Sequence, residues 1–258
     1  MGRFALSGHT VLVTGGATGI GFECAKQLAA RNNTVAICGR RDNVVQSALL
    51  ELPGVRGVAC DLGNDAGITH LLDFLHHEGL KVDVLINNAG IQVQTDFLAD
   101  GDAVLGALEE ELRINLLGPM KLTKRLLPHL VAGRGAILNM LSLLAVMPKF
   151  NAPGYCASKA GLHAFSKSME ALLVSTGVRV FVAFPPLVET PMTRGRGSNK
   201  MSARQFVAEM LEQMAEGRAE IRVGQAKTLL ALNRIAPAVA LWWTRRISAG
   251  RTVSDAGR

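Results

Sequence analysis

The chain has 258 residues, 48% of them apolar and 19% charged, and its formal net charge is +7. This length suits one α/β domain with a large core, and the apolar share excludes a chain that is disordered overall. The excess charge is local: residues 1–192 carry 16 Lys/Arg and 16 Asp/Glu, whereas residues 193–258 carry 12 and 5. Four widely spaced cysteines, Cys24, Cys38, Cys60 and Cys156, make no metal-ligand pattern, which predicts no bound metal and buried, reduced thiols. Such thiols fit a reducing compartment, and the segment before the first apolar run lacks signal-peptide character, so a cytoplasmic location is expected. Aromatic residues are few and no nucleic-acid-binding signature is present.

The first predicted strand, 11–14, runs into Thr14-Gly15-Gly16-Ala17-Thr18-Gly19-Ile20-Gly21, and a helix is predicted over 19–31. Glycines let the backbone turn sharply and approach a phosphate, while a helix N-terminus adds unpaired N–H groups and a positive dipole end. A glycine loop between strand and helix points to a dinucleotide. The second strand, 34–38, ends in Cys38-Gly39-Arg40-Arg41. An acidic residue there would bind a ribose 2′-hydroxyl. Gly39 offers no carboxylate, and Arg40 can form a charge-assisted pair with a 2′-phosphate, so NADP(H) is expected over NAD(H).

Further strands are predicted at 57–60, 84–87, 136–140 and 178–184, and helices at 42–52, 64–78, 102–130 and 153–176. Strands alternating with long helices indicate βαβ units, hence a parallel sheet covered on both faces. The last of these helices carries Tyr155, the one tyrosine of the chain, and Lys159. Positions i and i+4 share a helix face, so the ammonium is expected beside the phenol, lowering its pKa from about 10 toward working pH. A tyrosine so tuned exchanges a proton with a substrate oxygen.

Beyond Pro185 the pattern loosens. Residues 190–202 read as a polar, basic loop, 203–217 as a helix, 219–224 as a short last strand and 226–247 as a helix kinked or restarted at Pro237. Residues 190–216 are the expected substrate loop and helix, and 225–258 the basic extension. The longest uncharged run in that extension, 235–244, has ten residues, too short for a bilayer span of about 20. Trp242 and Trp243 beside Arg245 and Arg246 suit either a membrane-surface contact or packing onto the domain or a partner subunit.

The run Thr14 to Gly21, Asp61, Asn87-Asn88-Ala89-Gly90, Asn115, Ser142 and the Tyr155/Lys159 pair stand in the order and spacing of the short-chain dehydrogenase/reductase family, which the chain resembles over residues 8–192. The resemblance implies a single doubly wound Rossmann-type domain. Gly15, Thr18, Gly19, Ile20 and Gly21 would cradle the pyrophosphate of the cofactor, and Asp61 and Leu62 would border its adenine. Asn88 and Gly90 would line the adenosine side, while the Asn-Asn-Ala-Gly run steadies the sheet. Ser142 would hydrogen-bond the substrate oxygen, and Tyr155 would give or take its proton. Lys159 would lower the tyrosine pKa and bind the nicotinamide ribose. Asn115 would hold a water that extends the proton path, and Pro185, Val188 and Thr190 would orient the nicotinamide. A homodimer or homotetramer built on helices 102–130 and 153–176 is also implied.

Some positions depart from the family pattern. Leu141 replaces a frequent second serine, Leu143-Leu144-Ala145 replaces a usual glycine region, and Pro185-Pro186 replaces Pro-Gly. The Pro-Pro turn and the basic tail are similar to DltE-like oxidoreductases. The expected activity is NADP(H)-dependent interconversion of a carbonyl compound and an alcohol, with the apolar stretch 143–152 suited to a hydrophobic small molecule. Two alternatives are an NADP(H) sensor without turnover and a membrane-surface reductase of a lipid-linked substrate.

Overall fold

Each apolar run read as a strand enters one parallel sheet. β1 (Thr10–Thr14), β2 (Thr34–Gly39), β3 (Arg56–Ala59), β4 (Val84–Asn87), β5 (Ala136–Met140), β6 (Arg179–Phe184) and β7 (Glu220–Arg222) lie in the order β3-β2-β1-β4-β5-β6-β7. The structure, a computed structural model, describes residues 2–239. Its helices are α1 (Gly19–Ala29), α2 (Asp42–Glu51), α3 (Asp65–His77), α4 (Ala103–Leu112), α5 (Gly118–Ala132), α6 (Pro153–Leu173), α7 (Ala203–Ala215) and α8 (Gln225–Ile235).

The sheet is buried on both faces. Val11 and Val13 join a layer with Cys24 and Leu28 of α1 and Phe206 and Met210 of α7. Leu12, between them, joins the opposite layer with Leu71 of α3 and Leu122 and Leu126 of α5. Successive strand side chains point to opposite faces, so a strand covered on both reads as a continuous apolar run. Strand order reverses between β1 and β4, and in such sheets the ligand crevice lies beyond the strand C-termini at that reversal. Here it falls between the glycine loop and Asn88-Ala89-Gly90.

One predicted element is corrected. Residues 102–130 are not one helix: α4 and α5 are joined by a π-helical turn over Arg113–Leu117 that contains Asn115. The helix read over 226–247 breaks at Pro237 as expected: α8 ends at Ile235, Ala236 takes φ −138° and ψ 69°, helical residues resume at 237–239, and 240–247 lie outside the described residues. Ala236 precedes Pro237, whose ring disfavours helical geometry in the residue before it. The loop over 190–202 contains one 3₁₀ turn, Pro191–Thr193, and is tied back by a Val188–Met201 bridge. Trp242, Trp243, Arg245 and Arg246 lie outside the described residues. Among the described residues no helix is long and apolar enough to cross a membrane.

Candidate active site

Thr14, the last residue of β1, organises the glycine loop. Its hydroxyl donates to the Ile86 carbonyl at 3.3 Å and accepts the N–H groups of Asn88 and Ala89, each at 3.0 Å. The Asn88 amide donates back to the Thr14 and Gly15 carbonyls at 3.1 and 3.2 Å. Gly15 has φ +62°, and a Cβ there would stand 2.9 Å from the Ala89 Cα. Gly21 is tighter, since its Cβ would lie 2.1 Å from the Gly15 carbonyl oxygen. Only glycine permits this approach of loop to helix. Thr18 precedes α1 without capping it through its side chain, which leaves the positive helix end for a phosphate.

A cleft of about 230 Å³ opens from this loop, and Gly15, Thr18, Arg40, Asp61, Leu62 and Gly90 all line it. Asn88 is not among the lining residues, and its side-chain amide holds the loop carbonyls of Thr14 and Gly15. The Asp61 carboxylate accepts from the Gly63 N–H at 2.9 Å and the Asn64 amide at 3.0 Å, so it shapes the cleft edge. Arg40 reaches the cleft as predicted. Its guanidinium also donates to the Glu110 carboxylate of α4 at 3.1 Å, with both side chains largely exposed.

The residues expected to transfer the proton come from the end of β5, the π-turn and α6. Pro153 starts α6, where a missing N–H leaves no helical bond unmade, and Tyr155 and Lys159 follow one turn apart. They are 9% and 3% exposed. The Ser142 hydroxyl oxygen accepts from the Leu144 N–H at 3.1 Å, and the same hydroxyl is near enough to the Tyr155 phenol to favour its ionised form. The Lys159 ammonium donates to the Met140 carbonyl at 2.8 Å and lies 5.8 Å from the Tyr155 ring centre.

The electrostatics correct one expectation. Burial pushes the Tyr155 phenol up to about 12; the Ser142 hydroxyl and the Arg196 charge oppose that rise, and the charges of Cys156 and Glu111 add to it. Burial also brings Lys159 down to about 8. Lys159 therefore does not lower the phenol here, because desolvation dominates both groups and the ammonium is turned to Met140.

Asn115, fully buried, donates to the Ile91 carbonyl at 2.8 Å and to Ser158 Oγ at 3.1 Å, and its Oδ1 accepts the Ile91 N–H at 2.8 Å. These bonds commit the amide N–H groups, leaving one Oδ1 lone pair for a water. A Cβ on Gly90 would lie 3.0 Å from Asn115 Oδ1 and 3.5 Å from Lys159 Nζ. Gly90 also lines the cleft, so Asn115 and Lys159 meet the cleft at that residue.

On the nicotinamide side Thr190 packs against Gly19, whose Cβ would lie 3.0 Å from Thr190 Cγ2. Pro185 is half-buried at the end of β6. The Val188 side chain is buried in the core instead, and its carbonyl accepts the Thr193 hydroxyl at 2.6 Å. Two residues were not anticipated. Arg196 bonds Gln92 and faces the phenol electrostatically, and Glu111 is buried at the start of α6. The signal for Glu111 was its place four residues before Asn115, on the same helical face.

The profile of the short chain dehydrogenase family matches residues 9–201. The chain belongs to that family. It is similar to the uncharacterized oxidoreductase DltE of Bacillus subtilis strain 168, 34% identical over 223 residues that cover 84% of this chain and 88% of DltE. It is also similar to the 3-oxoacyl-[acyl-carrier-protein] reductase FabG of Escherichia coli K12, 32% identical over 72% of this chain and 76% of FabG. A short chain dehydrogenase from Burkholderia cenocepacia J2315, solved in complex with NADP, superposes with a TM-score of 0.81 at 25% identity, covering 92% of this chain and 99% of that one. This short-chain dehydrogenase has the Rossmann fold of its relatives and is a hydride-transfer oxidoreductase.

Proposed function

We propose that the protein is an NADP(H)-dependent reductase of carbonyl compounds, with Tyr155 as proton donor. The observation that carries this reading is that Asn115 and Lys159 stand against Gly90, which lines a cleft shared with the glycine loop and Arg40, while Tyr155 lies one turn before Lys159. The glycine loop and the uncapped start of α1 suit a pyrophosphate, and Arg40 beside Gly39 suits a 2′-phosphate. NADPH, when bound, supplies the hydride.

The residues then supply position and proton. With its phenol near 12, Tyr155 is protonated at neutral pH. A substrate oxygen that becomes alkoxide-like is a stronger base than phenolate, so it takes the phenolic proton, and the direction favoured is reduction. Ser142 donates its one hydroxyl proton to the same oxygen. Lys159 binds the nicotinamide ribose, and the open Oδ1 lone pair of Asn115 holds the water that returns a proton.

A panel of aldehydes and ketones, followed by NADPH oxidation, tests the reading. Turnover that depends on Tyr155 is expected. Tight NADPH binding without turnover on any member would favour the sensor role. The exposed Leu105, Leu117, Leu172 and Val174 on and beside α4–α6 support self-association through these helices, which light scattering reads. A membrane role for the basic extension is tested by vesicle co-sedimentation of the full chain and of a chain ending at Gly224, and equal binding by both would remove it.

A further inference from the structure

Glu111 is a carboxylate with almost no solvent contact and no cation partner among the described residues. It is 1% exposed. Its Oε1 accepts the Val93 N–H at 2.8 Å, and its Oε2 lies against the first turn of α6 at Gly154, where the Tyr155 N–H favours its charged form. Tyr155 is the third residue of α6, whose N-cap position is held by Ala152, which offers no side-chain acceptor. A carboxylate from α4 thus caps the helix that carries the proton donor, where the positive dipole end favours an anion. The fit is close: a Cβ on Gly154 would stand 2.3 Å from Glu111 Oε2. The Oε1 bond holds Val93, two residues beyond Ile91, which Asn115 clamps.

We propose that Glu111 is a positioning residue for proton transfer: its buried carboxylate fastens the first turn of α6, and with it Tyr155, to the segment after β4 that borders the cofactor cleft. A surface glutamate would be solvated and a merely structural one paired with a cation, whereas this one turns its oxygens toward two backbone donors that flank the reaction site. Burial raises its pKa, and the Val93 and Tyr155 N–H groups draw it down. Glu110 faces it from its own helix, and Tyr155 and Cys156 from α6; Arg196 acts on the same phenol, and Lys149 on Cys156.

This inference rests on Tyr155 being the proton donor, and the test separates the two ideas. Because Tyr155 is the only tyrosine, one ¹³C-tyrosine label gives a single phenol signal that titrates without any substrate. The full-length wild type, E111Q and E111A are compared for that titration, for kcat and KM, for NADPH Kd and for melting temperature. The phenol pKa is expected to fall in E111Q, since the Glu111 charge raises it in the wild type. A fall in kcat of about 10- to 100-fold is expected in E111A with NADPH Kd changed less than about threefold, and a smaller fall in E111Q, whose amide oxygen keeps one acceptor. Variants that melt earlier but keep the wild-type phenol titration and kcat would overturn the proposal. If E111A does not fold, E111Q alone decides by the same criteria. If the wild type reduces no carbonyl compound, the functional reading fails while the phenol titration still judges the clamp.

Discussion

The Lys159 ammonium donates its 2.8 Å hydrogen bond to the Met140 carbonyl at the end of β5, 5.8 Å from the centre of the Tyr155 ring. The lysine is thereby anchored to the strand that leads into Ser142. The serine and the lysine are linked through the backbone of one strand end, and a charge buried so deeply is held by a dipole, not by a counter-ion.

Tyr155→Phe should bind NADPH as the wild type does and lose about 10²- to 10⁴-fold in kcat, the usual worth of one acid/base group. Fluorescence titration and steady-state kinetics on the same preparation check it. Turnover near the wild-type level would remove Tyr155 as proton donor.

Lys159 has a folded pKa of about 8 against an ordinary 10.5. Between these values the unfolded chain binds more protons, so stability gains as pH rises from 8 to 10.5 and that gain is lost as pH falls from 10.5 to 8. Its size is on the order of 3 kcal/mol. Tyr155 acts oppositely, its folded pKa of about 12 against 10 making stability fall as pH rises from 10 to 12. The melting temperature of the wild type minus that of Lys159→Met should therefore climb from pH 8 to 10.5, since the tyrosine is common to both. A flat difference would show that the lysine is not desolvated.

Arg40→Ala should weaken NADPH binding by about 10- to 100-fold and NADH by far less, the range expected for charge-assisted hydrogen bonds to one phosphate. Glu110→Gln should strengthen NADPH binding, because the Glu110 carboxylate holds the same guanidinium. That ion pair is largely exposed and so worth under about 1 kcal/mol, and the gain should be no more than about fivefold. Equal losses of NADPH and NADH in Arg40→Ala would defeat the 2′-phosphate assignment.

Asn115→Ala should destabilise the protein by about 2 kcal/mol, since it strands the Ile91 N–H and carbonyl in a partly buried place and each such group costs about 1 kcal/mol or more. Urea denaturation measures it. A loss below about 0.5 kcal/mol would mean that water replaces the amide.

Much of the architecture was legible before any coordinates. The strands at 11–14, 84–87 and 136–140 appear where apolar runs predicted them, because a strand buried on both faces leaves a purely local signature. The glycine loop was equally plain, since its turn and close approach are demands on individual residues. Asn115 was read into a helix because its neighbours have helical composition; the π-turn arises where α4 hands over to α5 against Ile91, a partner 24 residues away. Glu111, in a run of three glutamates, resembled a solvated charge, and only the packing of α4 on α6 turns it inward.

The one-turn spacing of Tyr155 and Lys159 on a common helix follows from the chain itself, as does the absence of a carboxylate where β2 ends. The protonation of that pair does not. It depends on how many atoms from β5, the π-turn and α6 displace water around each group, a sum over distant segments that no local window contains. Spacing therefore placed Tyr155 and Lys159 on one helical face, and three-dimensional packing set their protonation and their neighbours.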